Sequence, residues 1–211
     1  MALSFTNKPG LVAYLTCGDP DLRTSRDVAL AGISAGADVI ELGVPFSDPV
    51  ADGPVIQRAS ERALRKHVSL EQVLKVAAEI RAQSDAGLII FTYFNPIMRM
   101  GIEKFAVAAG NAGVDGALVT DLPVEEAGDY LRHMRKHSLA TVFLAAPTST
   151  DERLKAIAAA SSGFVYAVSR TGVTGASKDL EKSLRGDLNE VEIRLHRLPD
   201  RRGGEGRRHV D

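Results

Sequence analysis

The chain has 211 residues, 45% of them hydrophobic and 25% charged, and its 26 basic and 27 acidic side chains leave a net charge of −1. That profile fits one globular domain or two small ones, and it excludes a globally electrostatic partnership with nucleic acid or anionic lipid. No apolar run reaches the roughly 18 residues of a membrane span, the start MALSFTNKPG lacks a signal-peptide layout, and a lone Cys17 forms no internal disulfide, so a cytoplasmic location is expected. In chain order, short runs rich in β-formers occupy residues 11–16, 38–42, 87–93, 116–120, 141–144 and 163–168. They are apolar almost throughout, as strands covered on both faces must be. Between them lie Ala-, Glu- and Arg-rich stretches with helical spacing. In residues 25–36, for example, Val28, Ala29, Gly32 and Ile33 share a face and the run stops at Gly36. The sequence Ala112-Gly113-Val114-Asp115 repeats Ala35-Gly36-Ala37-Asp38, a helix end followed by a tight turn into a new strand. The chain closes on residues 193–211, where six Arg face three acidic residues, and a solvated, poorly ordered tail is expected.

Alternating strands and helices make a parallel sheet the natural product. A doubly wound nucleotide binder would carry a Gly-rich phosphate turn after its first strand, whereas here that strand runs into Cys17-Gly18-Asp19-Pro20. Polar residues instead gather after several different strand ends, at 41–52, Asn95, Asp121 and 170–175. Function drawn from many strand ends is the mark of the eight-fold (β/α) barrel, the TIM barrel. Six strands at about 30 residues per unit leave too little chain for two more, and neither a seventh nor an eighth strand is visible. The expected architecture is therefore a (β/α)8 TIM barrel with strands 1–6 recognisable and strands 7–8 missing. Residues 1–180 would form this incomplete catalytic domain and 181–211 a divergent Arg/Gly-rich tail.

The densest chemistry lies in residues 39–57. Glu41 stands inside an apolar strand, on the opposite face from Ile40 and Leu42, and so points into the barrel. A carboxylate there costs several kcal/mol unless paired or functional, and its environment raises its pKa, as a general acid or base needs. Asp52 follows on a loop stiffened by Pro45, Pro49 and Pro54 and bent at Gly43 and Gly53. One carboxylate in the wall and one on a lid suit a division of proton-transfer roles. The plainer alternative is a Glu satisfied by a lysine or the backbone and an Asp that merely forms a turn.

The run Glu41-Leu42-Gly43-Val44-Pro45-Phe46-Ser47-Asp48-Pro49 with Ala51-Asp52-Gly53-Pro54 resembles the signature of the tryptophan synthase alpha chain family. The resemblance extends to Leu15-Thr16-Cys17-Gly18-Asp19-Pro20, Tyr93-Phe94-Asn95-Pro96, Gly113-Val114-Asp115-Gly116, Asp121-Leu122-Pro123 and Ser169-Arg170-Thr171-Gly172-Val173-Thr174-Gly175. It runs in the family's order from about Pro9 to Ala176. It implies a lyase of aromatic amino-acid biosynthesis that cleaves indole-3-glycerol phosphate by retro-aldol chemistry into indole and glyceraldehyde 3-phosphate. Glu41 matches the family's acid/base residue, and Asp52 the carboxylate that holds the indole N–H.

By the same resemblance, Tyr14, Phe91, Tyr93 and Tyr166 line the substrate pocket, and Thr174 and Gly175 belong to a mobile loop that meets the phosphate. Pro45, Asp48, Asp121 and Pro123 would face a beta chain in an alpha2-beta2 heterotetramer. No metal and no cofactor are expected in this chain, with pyridoxal phosphate held by the beta partner. Cys17, His67, His133 and His137 match no ligand pattern. The family's seventh and eighth phosphate loops find no match here, so weak substrate binding and little turnover are expected of the chain as given. An alternative function is that of a catalytically impaired remnant that docks and modulates the beta chain. A third is another phosphate-handling barrel enzyme, which the specificity of the motif around Glu41 disfavours.

Overall fold

The structure, a computed structural model, describes residues 10–168. Its elements run β1 (Val12–Thr16), α1 (Leu22–Ser34), β2 (Val39–Gly43), α2 (Pro54–Leu64), α3 (Leu70–Arg81), β3 (Gly87–Thr92), α4 (Phe94–Met100), α5 (Ile102–Asn111), β4 (Gly116–Val119), α6 (Gly128–Lys136), β5 (Ala140–Ala145), α7 (Asp151–Ala160) and β6 (Val165–Ala167). The strands pair in parallel in the order β1-β2-β3-β4-β5-β6. All six predicted strands form, within two residues of their expected ends. The units are uneven, because both the β2–β3 and β3–β4 connections carry two helices. β6 is shorter than expected because Ser162 and Gly163 both donate to Thr141 O, at 2.9 and 3.3 Å, before regular pairing begins.

Alternation along each strand separates two apolar layers. Ile40, Leu42, Leu88, Ile90, Ala117 and Val119 face the helices in the larger core. Val39, Ile89, Leu118 and Val142 form a second cluster on the other face, flanked by Val12, Phe91, Leu144 and Phe164. This second face is the inside of the barrel wall.

One helix departs from its expected face. α1 begins at Leu22, capped by Asp21, whose side chain accepts from Thr24 N at 2.7 Å. Its buried positions are Ser25 and Ala29, while Val28 is 54% exposed. Ser25 takes the inner position because its hydroxyl accepts from Gly18 N at 2.9 Å and donates to Asp21 O at 2.8 Å. A satisfied hydroxyl costs little to bury, and here it ties the helix to the loop after β1.

The repeated Ala-Gly-x-Asp turns form as expected. Gly36 and Gly113 sit at φ +108 and +72, and the next N–H reaches back over the helix end, Ala37 to Gly32 O and Val114 to Ala109 O, each at 3.0 Å. The aspartates then clip the sheet. Asp38 Oδ2 accepts from Leu11 N at 2.8 Å, and Asp115 Oδ2 accepts from Leu88 N at 2.9 Å and from Arg81 Nη2 at 2.7 Å. Asp115 is buried, so its removal leaves a partly buried guanidinium and a strand N–H without their acceptor. Asp115→Ala is expected to cost about 3 kcal/mol, measured as a lowered urea midpoint at unchanged slope.

Candidate active site

Glu41 lies in the middle of β2, in register with Tyr14 of β1 and Ile89 of β3. It shares the inner face with Val39, so its side chain projects into the barrel as expected. The residue is 3% exposed, and its Oε1 is buried without a hydrogen-bond partner among the described residues. Burial alone pushes its carboxyl from 4.5 up to about 7. Among the described residues no lysine or arginine pairs with it, so the plainer reading in which a lysine satisfies the charge finds no support there.

A stability consequence follows from this shift. The folded-state pKa lies above the unfolded one, so the folded protein binds an extra proton between about pH 4.5 and 7 and stability falls as pH rises through that window. The penalty for ionised Glu41 is about 3 kcal/mol. Glu41→Gln cannot ionise, so thermal melts at about pH 5 and pH 8 should differ less in the variant than in the parent chain. Equal differences in both proteins would place the carboxyl in a solvated setting.

The loop after β2 folds over this strand end. Asp52 N donates to Pro49 O at 3.0 Å, and Gln57 Nε2, from the first turn of α2, donates to Asp52 O at 2.9 Å. Ala51 N donates to the Tyr93 hydroxyl at 3.0 Å. Phe46 stacks on Tyr93 with ring centroids 4.8 Å apart and planes at 27°. Asp52 is 8% exposed, and burial raises its pKa.

The other aromatic residues expected at the substrate pocket lie around Glu41. Tyr14 meets Phe91 edge-on, with centroids 5.1 Å apart at 73°, and its hydroxyl pairs with Thr16 Oγ1 at 3.2 Å. The ring lies over Gly43, where a Cβ would overlap the Tyr14 hydroxyl; glycine at this position is a requirement of close approach. Burial, together with the charges of Asp52 and Glu41, drives the Tyr14 hydroxyl well above its ordinary value. Tyr166 on β6 is 36% exposed and also feels the Glu41 charge. Thr174 and Gly175 lie outside the described residues.

The positions expected at a partner surface are mixed. Asp48 and Asp121 are exposed, Pro123 is half-buried and Pro45 is buried. Asp121 Oδ1 accepts from Phe94 N at 2.7 Å, linking the loop after β4 to the start of α4. His67 follows α2, while His133 and His137 lie on and just after α6, far along the chain from the carboxylate loop. Among the described residues no three metal-ligating side chains cluster. The sequence reading missed Phe46 and Gln57, both of which hold the loop. Gln57 stands one turn into the helix that follows Asp52, and that spacing was its only signal.

The family model for the tryptophan synthase alpha chain matches residues 1–203. A tryptophan synthase alpha chain from Solibacter usitatus is 53% identical over 178 residues, covering 84% of this chain and 67% of that one. Another, from Cupriavidus pinatubonensis, is 53% identical over 195 residues, 92% of this chain and 71% of that one. The chain belongs to the tryptophan synthase alpha chain family. Solved structures agree with this membership. Tryptophan synthase from Mycobacterium tuberculosis superposes with a TM-score of 0.78 at 39% identity, covering 87% of this chain and 72% of that one. The tryptophan synthase complex from Pyrococcus furiosus gives 0.72 at 44% identity, covering 75% and 65%. The chain thus spans about two thirds of the length of these tryptophan synthase relatives. Its six described strands belong to the tryptophan synthase alpha barrel. The family match continues past Ala176, where the motifs read from the sequence end, to residue 203.

Proposed function

We propose that this chain performs the alpha reaction of tryptophan synthase, the retro-aldol cleavage of indole-3-glycerol phosphate to indole and glyceraldehyde 3-phosphate. The observation that carries the reading is Glu41, a buried carboxyl without a partner on Oε1 whose pKa of about 7 suits both giving and taking a proton near neutrality. In the proposed mechanism, protonated Glu41 delivers its proton to C3 of the indole ring. The ring becomes cationic, and Asp52 accepts the indole N–H and stabilises the positive charge in a water-poor pocket. Glu41, now a carboxylate, takes the proton of the glycerol hydroxyl beside C3. The C–C bond breaks, its electron pair restores the aromatic indole, and the hydroxyl carbon leaves as the aldehyde. One residue handles both protons, so the cycle returns Glu41 to its starting state.

Tyr14, Phe91, Tyr93 and Tyr166 form the pocket walls in this reading, while Thr174 and Gly175 serve the loop and phosphate. The beta chain docks through the exposed Asp48 and Asp121 and the half-buried Pro123, as an alpha2-beta2 partner in the cytoplasm. The alpha step asks for no cofactor from this chain, and pyridoxal phosphate belongs to the beta chain. Support for the partnership comes from the Pyrococcus furiosus relative, which is described as an a2b2 complex. The test is direct. Purified chain, alone and with a beta chain, is incubated with indole-3-glycerol phosphate, and indole and glyceraldehyde 3-phosphate are quantified. Equal amounts of both are expected, at the low turnover anticipated from the sequence. Absence of indole under both conditions, with an enhanced beta reaction, would overturn catalysis in favour of a docking role.

A further inference from the structure

We propose that Gln57 is a positioning residue whose side-chain amide fixes the backbone from which the Asp52 carboxylate projects, an inference that rests on the role given above to Asp52. Asp52 directly precedes Gly53, the N-cap of α2. Gly53 O accepts the first bond of the helical ladder, from Gln57 N at 2.9 Å, and a glycine cap has no side chain to close the turn. Asp52 O lies one residue ahead of that ladder, so the helix backbone supplies it with no donor. Gln57 Nε2 is the donor it receives, at 2.9 Å. The same nitrogen reaches Pro49 O at 3.5 Å, the carbonyl that already accepts from Asp52 N at 3.0 Å. One amide group thus spans both ends of the turn at residues 49–52.

The consequence for Asp52 is specific. The peptide groups on the two sides of its Cα are both held, one by the Pro49 carbonyl and the other by the Gln57 amide. With those two planes fixed, the backbone torsions of Asp52 are fixed as well, and only its side-chain torsions remain to aim a buried carboxylate. Upstream the loop is pinned on Tyr93, through the Ala51 N–H at 3.0 Å and the stacked ring of Phe46. Gln57, half-buried in the first turn of α2, pins the exit. An amide suits that place because it donates two N–H groups, whereas an ionised carboxylate donates none and would face two carbonyl oxygens. A carboxylate stabilises a transition-state cation best when it need not reorganise, so this tether bears on kcat more than on substrate affinity.

Gln57→Met keeps the length of the side chain and removes both N–H groups. Gln57→Glu keeps its shape and turns a carboxylate toward the two carbonyls. Exchange of the Asp52 N–H in deuterated buffer at neutral pH, followed by NMR, is expected to quicken about tenfold in Gln57→Met and further in Gln57→Glu. The Leu88 N–H, bonded to Asp115, should keep its parent rate and so report that the sheet is intact. In steady-state assays kcat for indole release should fall about tenfold in Gln57→Met and about 10²-fold in Gln57→Glu, with KM within about twofold of the parent. A side chain that merely fills space would give the opposite order, since glutamate copies the shape of glutamine better than methionine does. Asp52 exchange unmoved in both variants overturns the proposal, as does quickened exchange with kcat unchanged. The exchange measurement needs no turnover. If the parent chain releases no indole, the functional reading fails while the hold of Gln57 on Asp52 is still decided. If indole release persists in the parent and Asp52 exchange is unmoved in the variants, the reverse holds.

Discussion

Glu41→Gln is expected to lower indole release by about 10²- to 10⁴-fold, because a positioned acid/base group typically contributes that much and both proton transfers fall on this residue. Glutamine keeps the shape of glutamate and fills the same space between Tyr14 and Ile89 in the register of the sheet. Substrate affinity and docking of the beta chain should therefore stay close to those of the parent. The neutral amide also relieves the burial penalty, so the variant should be no less stable than the parent near pH 8. A dead variant that melts higher at alkaline pH is the signature of a group kept for chemistry at the expense of stability. Retention of more than about a tenth of the parent rate would move the acid/base role to another residue.

Asp52→Asn is expected to lower kcat by about 10²-fold or more, the usual loss when an electrostatic partner of the transition state is removed. KM should change much less, because the indole ring carries positive charge only after protonation at C3. Ground-state binding then has little to lose. Stopped-flow or steady-state assays that separate kcat from KM decide the matter. Unchanged kcat with a raised KM would make Asp52 a binding group for the indole N–H. Asparagine can still accept from Gln57 and donate to Pro49 through its backbone, so the loop itself should persist.

Much of this site was legible in the sequence because strand geometry has a strict period. With Ile40 and Leu42 turned toward the helices, Glu41 had to turn inward, and the structure has it there. The same logic placed Tyr14 at an inward position of its strand, and the structure sets it in register with Glu41. Local turn chemistry was equally readable, since Gly36 and Gly113 both adopt the positive φ that their helix-ending positions demanded. Misreadings came where a three-dimensional partner overrides the local pattern. Val28 was grouped on one face of α1 with Ala29, but it is exposed, and Ser25 is buried beside Ala29 because Gly18 and Asp21 satisfy its hydroxyl. The destination of the Tyr93 hydroxyl was beyond any periodicity argument. It depends on a loop from 42 residues earlier folding back over the strand ends. Pro45 reads as a surface residue from its loop context, yet the same folding back buries it.

The most direct measurement of the central claim is a carbon-13 titration of the Glu41 side-chain carboxyl, assigned by its loss in Glu41→Gln. A midpoint of about 7 is the expected result, set by burial without a charged partner. A midpoint at the ordinary glutamate value of 4.5 would mean that Glu41 is solvated or paired, and would contradict its role as the acid and base of this site.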